Sequence, residues 1–203
     1  MEEKLKIYGK LKTLPNKLTL GRMAVIPVLL LLYPFAENLV FLRIFCAIVF
    51  ALAAATDFLD GYLARRYDNV TRLGAILDPM ADKILITAAI VLLAHSGLIP
   101  AILAGLLLCR EIGVSGLRLA ARDQNITVSV NNFGKVKTVL QDVSVFLLLI
   151  NTPSLRTPGM IGLWAALIVS WYSAWLYWQA FWQASNKDEI SEEDTNPGPS
   201  AEL

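Results

Sequence analysis

The chain has 203 residues, 56% of them apolar and only 17% charged, with a mean hydropathy of +0.54. A soluble domain usually carries about 45–50% apolar residues and spreads its charges over solvated faces, whereas here the charges collect in blocks at the ends of apolar runs, which points to a bilayer as the solvent. A net charge of +1, with no basic stripe apart from the expected membrane boundaries, excludes a nucleic-acid partner.

Residues 1–16 are rich in lysine, and Leu5, Tyr8, Leu11 and Lys12 recur at roughly helical spacing. This fits an amphipathic juxtamembrane helix over 2–14, lying on an anionic leaflet and touching membrane lipids. The charged stretch is too long for a cleavable secretory signal, so the first apolar run is expected to remain as a membrane helix. Crossing a hydrocarbon core of about 30 Å takes about 20 helical residues. Six segments meet or approach that length: 18–36, 38–60, 74–94, 98–120, 135–150 and 158–183. The expected fold class is therefore an all-α integral membrane protein with six transmembrane helices and an N-terminal amphipathic surface helix. Residues 17–184 would form the six-helix domain, and 185–203 a disordered acidic tail.

Lysine and arginine orient the spans. Lys4, Lys6, Lys10, Lys12, Lys17 and Arg22 precede or open the first; Arg65, Arg66 and Arg72 lie between the second and third; Arg118, Arg122, Lys135 and Lys137 lie around the fourth connection. Only Arg43 and Arg156 fall on the other side. Both termini are thus expected in the cytoplasm, with the turns near Pro34, residues 95–100 and residues 151–158 facing out. Cys46 and Cys109 lie in apolar runs without CxxC or metal spacing and read as small core residues. His95 falls on an outer turn and reads as solvated. Ser115 has no evident base beside it for nucleophilic catalysis. Trp164, Trp171, Trp175, Trp178 and Trp182 read as lipid contacts of the last span.

The informative stretch joins the second and third spans, where Asp57, Asp60, Asp78 and Asp82 stand at expected cytoplasmic helix ends. Carboxylates at membrane spans are costly and mark functional sites. Helical spacing brings Asp57 beside Asp60 at i, i+3 and Asp78 beside Asp82 at i, i+4. Four carboxylates in one pocket repel unless protonated or bridged by cations. All-oxygen donors with no nearby His or Cys select hard ions, Mg²⁺ or Mn²⁺, and two such ions about 3.5–4 Å apart suit phosphoryl chemistry. The plainer alternative is a set of boundary carboxylates neutralised by Arg65, Arg66, Arg72 and Lys83. Gly61 and Gly74 suit close backbone approach to a phosphate or nucleotide, though glycines also serve helix packing. Arg65, a turn past Asp60, can pair with phosphate through its planar fork.

The pattern Asp57-x2-Asp60-Gly61-x2-Ala64-Arg65-x8-Gly74-x3-Asp78-x3-Asp82 resembles the complete signature of the CDP-alcohol phosphatidyltransferases. That resemblance implies a six-helix membrane fold, commonly a homodimer, with a cytoplasmic polar cavity and two divalent metals. Asp57, Asp60 and Asp78 would ligate metal, and Asp82 would ligate metal and act as general base. Gly61, Ala64, Arg65, Thr71 and Gly74 would line the CDP-lipid site. Pro15-Asn16-x-Leu18-Thr19-x2-Arg22 is similar to the entry of the first span in the bacterial phosphatidylglycerophosphate synthases, where Asn16 and Thr19 would help to frame the nucleotide. The segments Arg110-Glu111-Ile112-x-Val114-Ser115-Gly116-Leu117-Arg118 and Gly134-Lys135-x-Lys137-Thr138-x2-Gln141 also resemble that branch.

A glycerol 3-phosphate acceptor brings a phosphate dianion, which Arg110, Arg118, Lys135 or Lys137 could bind, with Arg118 and Lys135 favoured. The alternative for Arg110 and Glu111 is a structural ion pair within the bundle. The resemblance therefore implies transfer from CDP-diacylglycerol to glycerol 3-phosphate in a bacterial cytoplasmic membrane. Two rivals stand beside it: an enzyme with another acceptor such as inositol phosphate, and a cation transporter using the aspartates. The acidic residues cluster at one membrane face, which disfavours conduction.

Overall fold

The computed structural model describes the backbone of residues 14–67, 72–123 and 133–195, and the side chains of 21–36, 39–56, 80–81, 83–123 and 134–184. Among the described residues the chain forms six α-helices and one 3₁₀ turn: α1 (Leu14–Leu32), the turn Tyr33–Asn38, α2 (Val40–Tyr67), α3 (Arg72–His95), α4 (Ala101–Asp123), α5 (Phe133–Ile150) and α6 (Pro153–Thr195). Number and order match the six segments expected from hydropathy. The surface helix expected over 2–14 lies outside the described residues, apart from Leu14 itself, which opens α1.

Two boundaries differ from the expectation in an informative way. Helix α2 does not stop at Asp60 but runs to Tyr67, so Gly61, Ala64 and Arg65 belong to the helix that carries Asp57 and Asp60. Glycine lowers helix propensity by only about 1 kcal/mol, too little to end a long, packed helix. Likewise α6 continues past 183 to Thr195, into the segment expected to be an unstructured tail.

Each helix buries one stripe. On α1 it comprises Arg22, Ile26 and Leu29, continued by Tyr33 at the start of the 3₁₀ turn, and on α3 Ala81, Leu85, Ala88, Ala89 and Leu92, at the i, i+3, i+4, i+7 spacing of an amphipathic face. On α5 the stripe changes character along its length: Lys137, Gln141 and Ser144 come first, then Val145, Leu148 and Leu149. One end of the bundle is therefore polar inside and the other apolar. Helix α5 packs mainly on α6, α1 on α3, α2 on α5 and α4 on α6.

Helices α5 and α6 approach closely. A Cβ at Gly159 would meet Leu148 Cγ at 2.9 Å, and one at Gly162 would collide with Ser144 Oγ. Small residues of this kind let membrane helices approach backbone to backbone. At the apolar end, α3 closes with a glycine in the left-handed region. Gly97 has φ +65°, its N–H donates to Ala94 O at 3.1 Å, and Leu98 N–H reaches back to Leu93 O at 2.9 Å. This pair of bonds satisfies carbonyls that a helix end otherwise leaves open. The end of α5 is tied differently: Tyr33 Oη donates to Leu149 O and Arg43 Nη1 to Asn151 O, each at 3.1 Å.

The outer surface is strongly apolar. Phe41, Phe35, Ile112, Ile102 and Leu31 are 68–83% exposed, and the five tryptophans of α6 are 41–59% exposed, far more apolar surface than a water-soluble monomer presents. Among the described residues one helix, Pro153–Ala184, is long and apolar enough to cross a membrane by itself; Gly21–Ala36, Val40–Thr56 and Lys83–His95 are shorter apolar stretches. Cys46 sits in the core as expected, but Cys109 is exposed, on the side of α4 that faces a groove lined by Trp171 and Trp175 of α6.

Candidate active site

The polar end of the bundle holds a cavity of ≈ 760 Å³ between α2, α3, α4 and α5. Helix α4 supplies Arg110, Glu111, Ser115 and Arg118, whose 4- and 3-residue steps from Glu111 to Ser115 to Arg118 keep them on one helix face. Helix α5 supplies Lys135, Lys137 and Asp142 from its first turns, α3 supplies Lys83, and α2 supplies Ala54. All four residues expected to bind an acceptor phosphate, Arg110, Arg118, Lys135 and Lys137, thus line one cavity although they come from separate helices. Five basic side chains stand there against two carboxylates among the described residues, an excess that attracts anions.

The charges are not equivalent. Glu111 Oε1 accepts from Arg110 Nη1 at 3.0 Å and is also contacted by Lys137 Nζ. Arg110 Nε donates in addition to Ser170 O on α6 at 2.9 Å. Arg110 and Lys137 are buried, and a buried charge persists only when paired and hydrogen-bonded. The ion pair weighed as the alternative for Arg110 and Glu111 is therefore present, and it takes in Lys137 as well. Arg118 and Lys135 are exposed to the cavity side and have no ion pair among the described residues; the Arg118 guanidinium lies 5.8 Å from the ring centre of Tyr177, a cation–π contact that leaves its donors available.

Lys83 and Glu111 were not singled out as site residues from the sequence. Glu111 lies inside the apolar run of α4, a costly place for a charge in a membrane helix, and Lys83 opens the apolar stretch Lys83–His95 of α3; a charge at either position was a usable signal. Lys83 Nζ donates to Ser115 Oγ at 2.7 Å, and Ser115 Oγ donates to Glu111 O at 2.5 Å. Lys83 stands beside Ser115 but acts as the donor, and the Ser115 proton is directed at a backbone carbonyl, so no base faces this hydroxyl among the described residues. Gln141 is buried, and neither amide atom has a partner among the described residues.

The expected metal and nucleotide residues distribute over three helices. Asn16 and Thr19 lie in the first turns of α1; Asp57, Asp60, Gly61, Ala64 and Arg65 lie on α2; Gly74, Asp78 and Asp82 lie on α3. Their side chains, and Thr71 entirely, fall outside the described residues. The backbone places the two carboxylate pairs on consecutive helices that pack together and are joined by residues 68–71. Arg22, three positions after Thr19, is buried and partnered.

Comparison with known proteins follows the same lines. The family model for CDP-alcohol phosphatidyltransferase matches residues 12–176. A Bacillus subtilis protein named CDP-diacylglycerol–glycerol-3-phosphate 3-phosphatidyltransferase is 36% identical over 185 residues, covering 84% of this chain and 96% of the relative. Proteins of the same name from Rickettsia felis and Pectobacterium atrosepticum are each 38% identical, over 83% and 82% of this chain and 95% and 93% of their own lengths. With a matching model over most of its length and relatives covered almost end to end, the chain belongs to the CDP-alcohol phosphatidyltransferase family.

Proposed function

We infer that this protein transfers the phosphatidyl group of CDP-diacylglycerol to sn-glycerol 3-phosphate, giving phosphatidylglycerophosphate and CMP. The observation that carries the acceptor assignment is the cavity itself: an excess of cationic side chains beside the helices that bear the aspartates. Ala54 lines it three positions before Asp57, and Lys83 lines it immediately after Asp82. Serine, a zwitterion with no net charge, calls for far less of that excess than a phosphate dianion does.

Within the site we assign Arg118 and Lys135 to the acceptor phosphate, because Arg110 and Lys137 are already engaged by Glu111. Glu111 holds Arg110 and Lys137 in place and limits the net positive charge of the cavity. Asp57, Asp60, Asp78 and Asp82 form a donor set of hard oxygens on two packed helices, which fits Mg²⁺ or Mn²⁺. Two such ions, when bound, polarise the pyrophosphate and stabilise the departing CMP. Asp82 takes the proton of the acceptor hydroxyl. The hydroxyl oxygen forms a bond to the phosphatidyl phosphorus while the bond from that phosphorus to the CMP oxygen breaks, the electron pair leaving with CMP. Asn16, Thr19, Gly61, Ala64, Arg65, Thr71 and Gly74 are the residues we assign to the CDP moiety.

We further propose that all six helices span a bacterial cytoplasmic membrane, with the termini and the site on the cytoplasmic side and the protein working as a homodimer. The exposed apolar belt and the lysine and arginine asymmetry support this orientation. Residues 1–16 would lie on the inner leaflet, 17–184 would form the catalytic domain and 185–203 would remain outside its packing. The test is an acceptor panel: purified protein with CDP-diacylglycerol and Mg²⁺ is offered glycerol 3-phosphate, inositol phosphate or serine, and CMP release is measured. Turnover with glycerol 3-phosphate is the expected result; turnover with another acceptor and none with this one would defeat the assignment.

A further inference from the structure

The end of the bundle opposite the basic cavity carries a second set of cationic groups that the transfer reaction does not use. Arg43, near the start of α2, lies 14 residues before Asp57, a separation of about 20 Å along the helix. Arg156 belongs to the first turn of α6. These are the two arginines that the charge distribution leaves on the side away from every other Lys and Arg, and the fold brings both to the wall of one cavity of ≈ 350 Å³. The other walls include Tyr33, Ser96 and Asn151, and no carboxylate lines it among the described residues.

Several donors there are not consumed by the fold. Arg43 Nη1 donates to Asn151 O at 3.1 Å, but Arg43 Nε is buried without a hydrogen-bond partner among the described residues. Ser96 Oγ is buried and equally without one among the described residues. The Arg156 side chain is exposed and makes no hydrogen bond or ion pair among the described residues. Buried donors without acceptors are rare in folded proteins and cost about 1–3 kcal/mol each, so their concentration between two guanidinium groups calls for an acceptor of opposite charge. Guanidinium pairs suit phosphate oxygens through parallel N–H donors. The volume lies near the lower end of ligand pockets, about 300–1,000 Å³, which leaves room for an organic headgroup beyond a bare phosphate.

We propose that Arg43, Arg156 and Ser96 form a phosphate-binding pocket, separate from the catalytic cavity, that takes the phosphodiester headgroup of a phospholipid at the far membrane surface. The site does not depend on which acceptor the enzyme uses. Free inorganic phosphate shares the recognised chemistry, and the experiment separates the two sources.

Full-length protein in a non-ionic maltoside detergent is titrated with a short-chain phosphatidylglycerol, with the corresponding diacylglycerol and with inorganic phosphate, and the thermal unfolding midpoint is followed. Phosphatidylglycerol is expected to raise the midpoint, and Arg156→Gln to weaken its apparent affinity about tenfold or more. CMP release by that variant at saturating substrates is expected to match wild type. Arg43→Gln should act in the same direction, but it also releases the end of α5, so the exposed Arg156 decides the outcome. An arginine-dependent shift with inorganic phosphate at equal potency would keep the anion site and assign it to the free ion. Superimposable titrations of wild type and Arg156→Gln with every phosphate ligand, or an equal shift with diacylglycerol, would overturn the proposal.

Discussion

Replacing Glu111 with glutamine removes one negative charge from the centre of the site and leaves its shape. The side chains of Arg110, Lys137 and Glu111 are 5%, 10% and 13% exposed, so both cations lose their counter-charge where water reaches them little. Breaking a buried pair by neutralising one partner costs about 3–5 kcal/mol. The retained amide oxygen can still accept one hydrogen bond, and Arg110 keeps its bond to Ser170 O, which places the expected loss near the lower end, about 3 kcal/mol. For a chain of this size each kcal/mol moves the unfolding midpoint by about 2–4 °C, so Glu111→Gln should unfold about 6–12 °C below wild type in the same detergent. Adding Lys137→Met removes one of the two stranded cations and should restore part of the loss, a coupling that a double-mutant cycle reads directly. Scanning fluorimetry with a reporter independent of the tryptophans is the assay. A midpoint for Glu111→Gln within about 2 °C of wild type would refute the assignment of Glu111 as the counter-charge of the cavity.

Asp82→Asn should lower CMP release at least about 100-fold with unchanged protein yield, because a neutral amide can neither take the acceptor proton nor bind a hard cation well; a residual rate above about a tenth of wild type would contradict the general-base role. Gly162→Ala should destabilise by about 1–2 kcal/mol, since the new methyl displaces Ser144 Oγ from its 2.6 Å bond to Leu140 O. Ser144→Ala in the same chain should recover most of that loss, because the next atom, Ser144 Cβ, lies at an ordinary 3.5 Å; thermal melts of the two variants check both statements. Gly97→Ala should cost about 1 kcal/mol through its positive φ alone, as no atom lies within 4 Å of the added methyl. Gly105→Ala, equally open but inside α4, should be neutral or stabilising, and opposite signs in a thermal melt are the check.

Much of this arrangement was legible before any coordinates. Hydropathy alone gives the number and order of the helices, because a bilayer demands long apolar runs with internally satisfied backbones. The spacing of the four aspartates, and their rarity in such runs, is what points to the proposed metal chemistry; their side chains lie outside the described residues. Bringing Arg118, Lys135 and Lys137 together was also within reach, since they flank one connection, whereas Arg110 sits in the middle of α4 and joins them only through the packing of the helices. What the sequence does not reveal is how charge is divided among them. That Glu111 engages both Arg110 and Lys137 depends on the crossing of α4 with α5, which no local pattern encodes. Helix ends outran the expected spans: α2 continues from Asp60 to Tyr67, and the polar composition after 184 does not end α6, because a helix can extend beyond its apolar run. Cys109 was read as core because its neighbours are apolar, yet in a membrane protein apolar residues cover the outside as well as the inside. The meeting of Arg43 and Arg156 was equally hidden, because it is made by the turns at 96–98 and 151–152 that bring three helix ends together.

The most direct measurement is the Michaelis constant for each substrate in Lys135→Gln and Arg118→Gln, taken from CMP release in mixed micelles. Each variant should raise the constant for glycerol 3-phosphate about tenfold or more and leave that for CDP-diacylglycerol within about twofold, as expected when one charge-assisted contact to the acceptor phosphate is lost. An unchanged constant for glycerol 3-phosphate in both variants, or a rise confined to CDP-diacylglycerol, would mean that the basic cavity does not receive the acceptor.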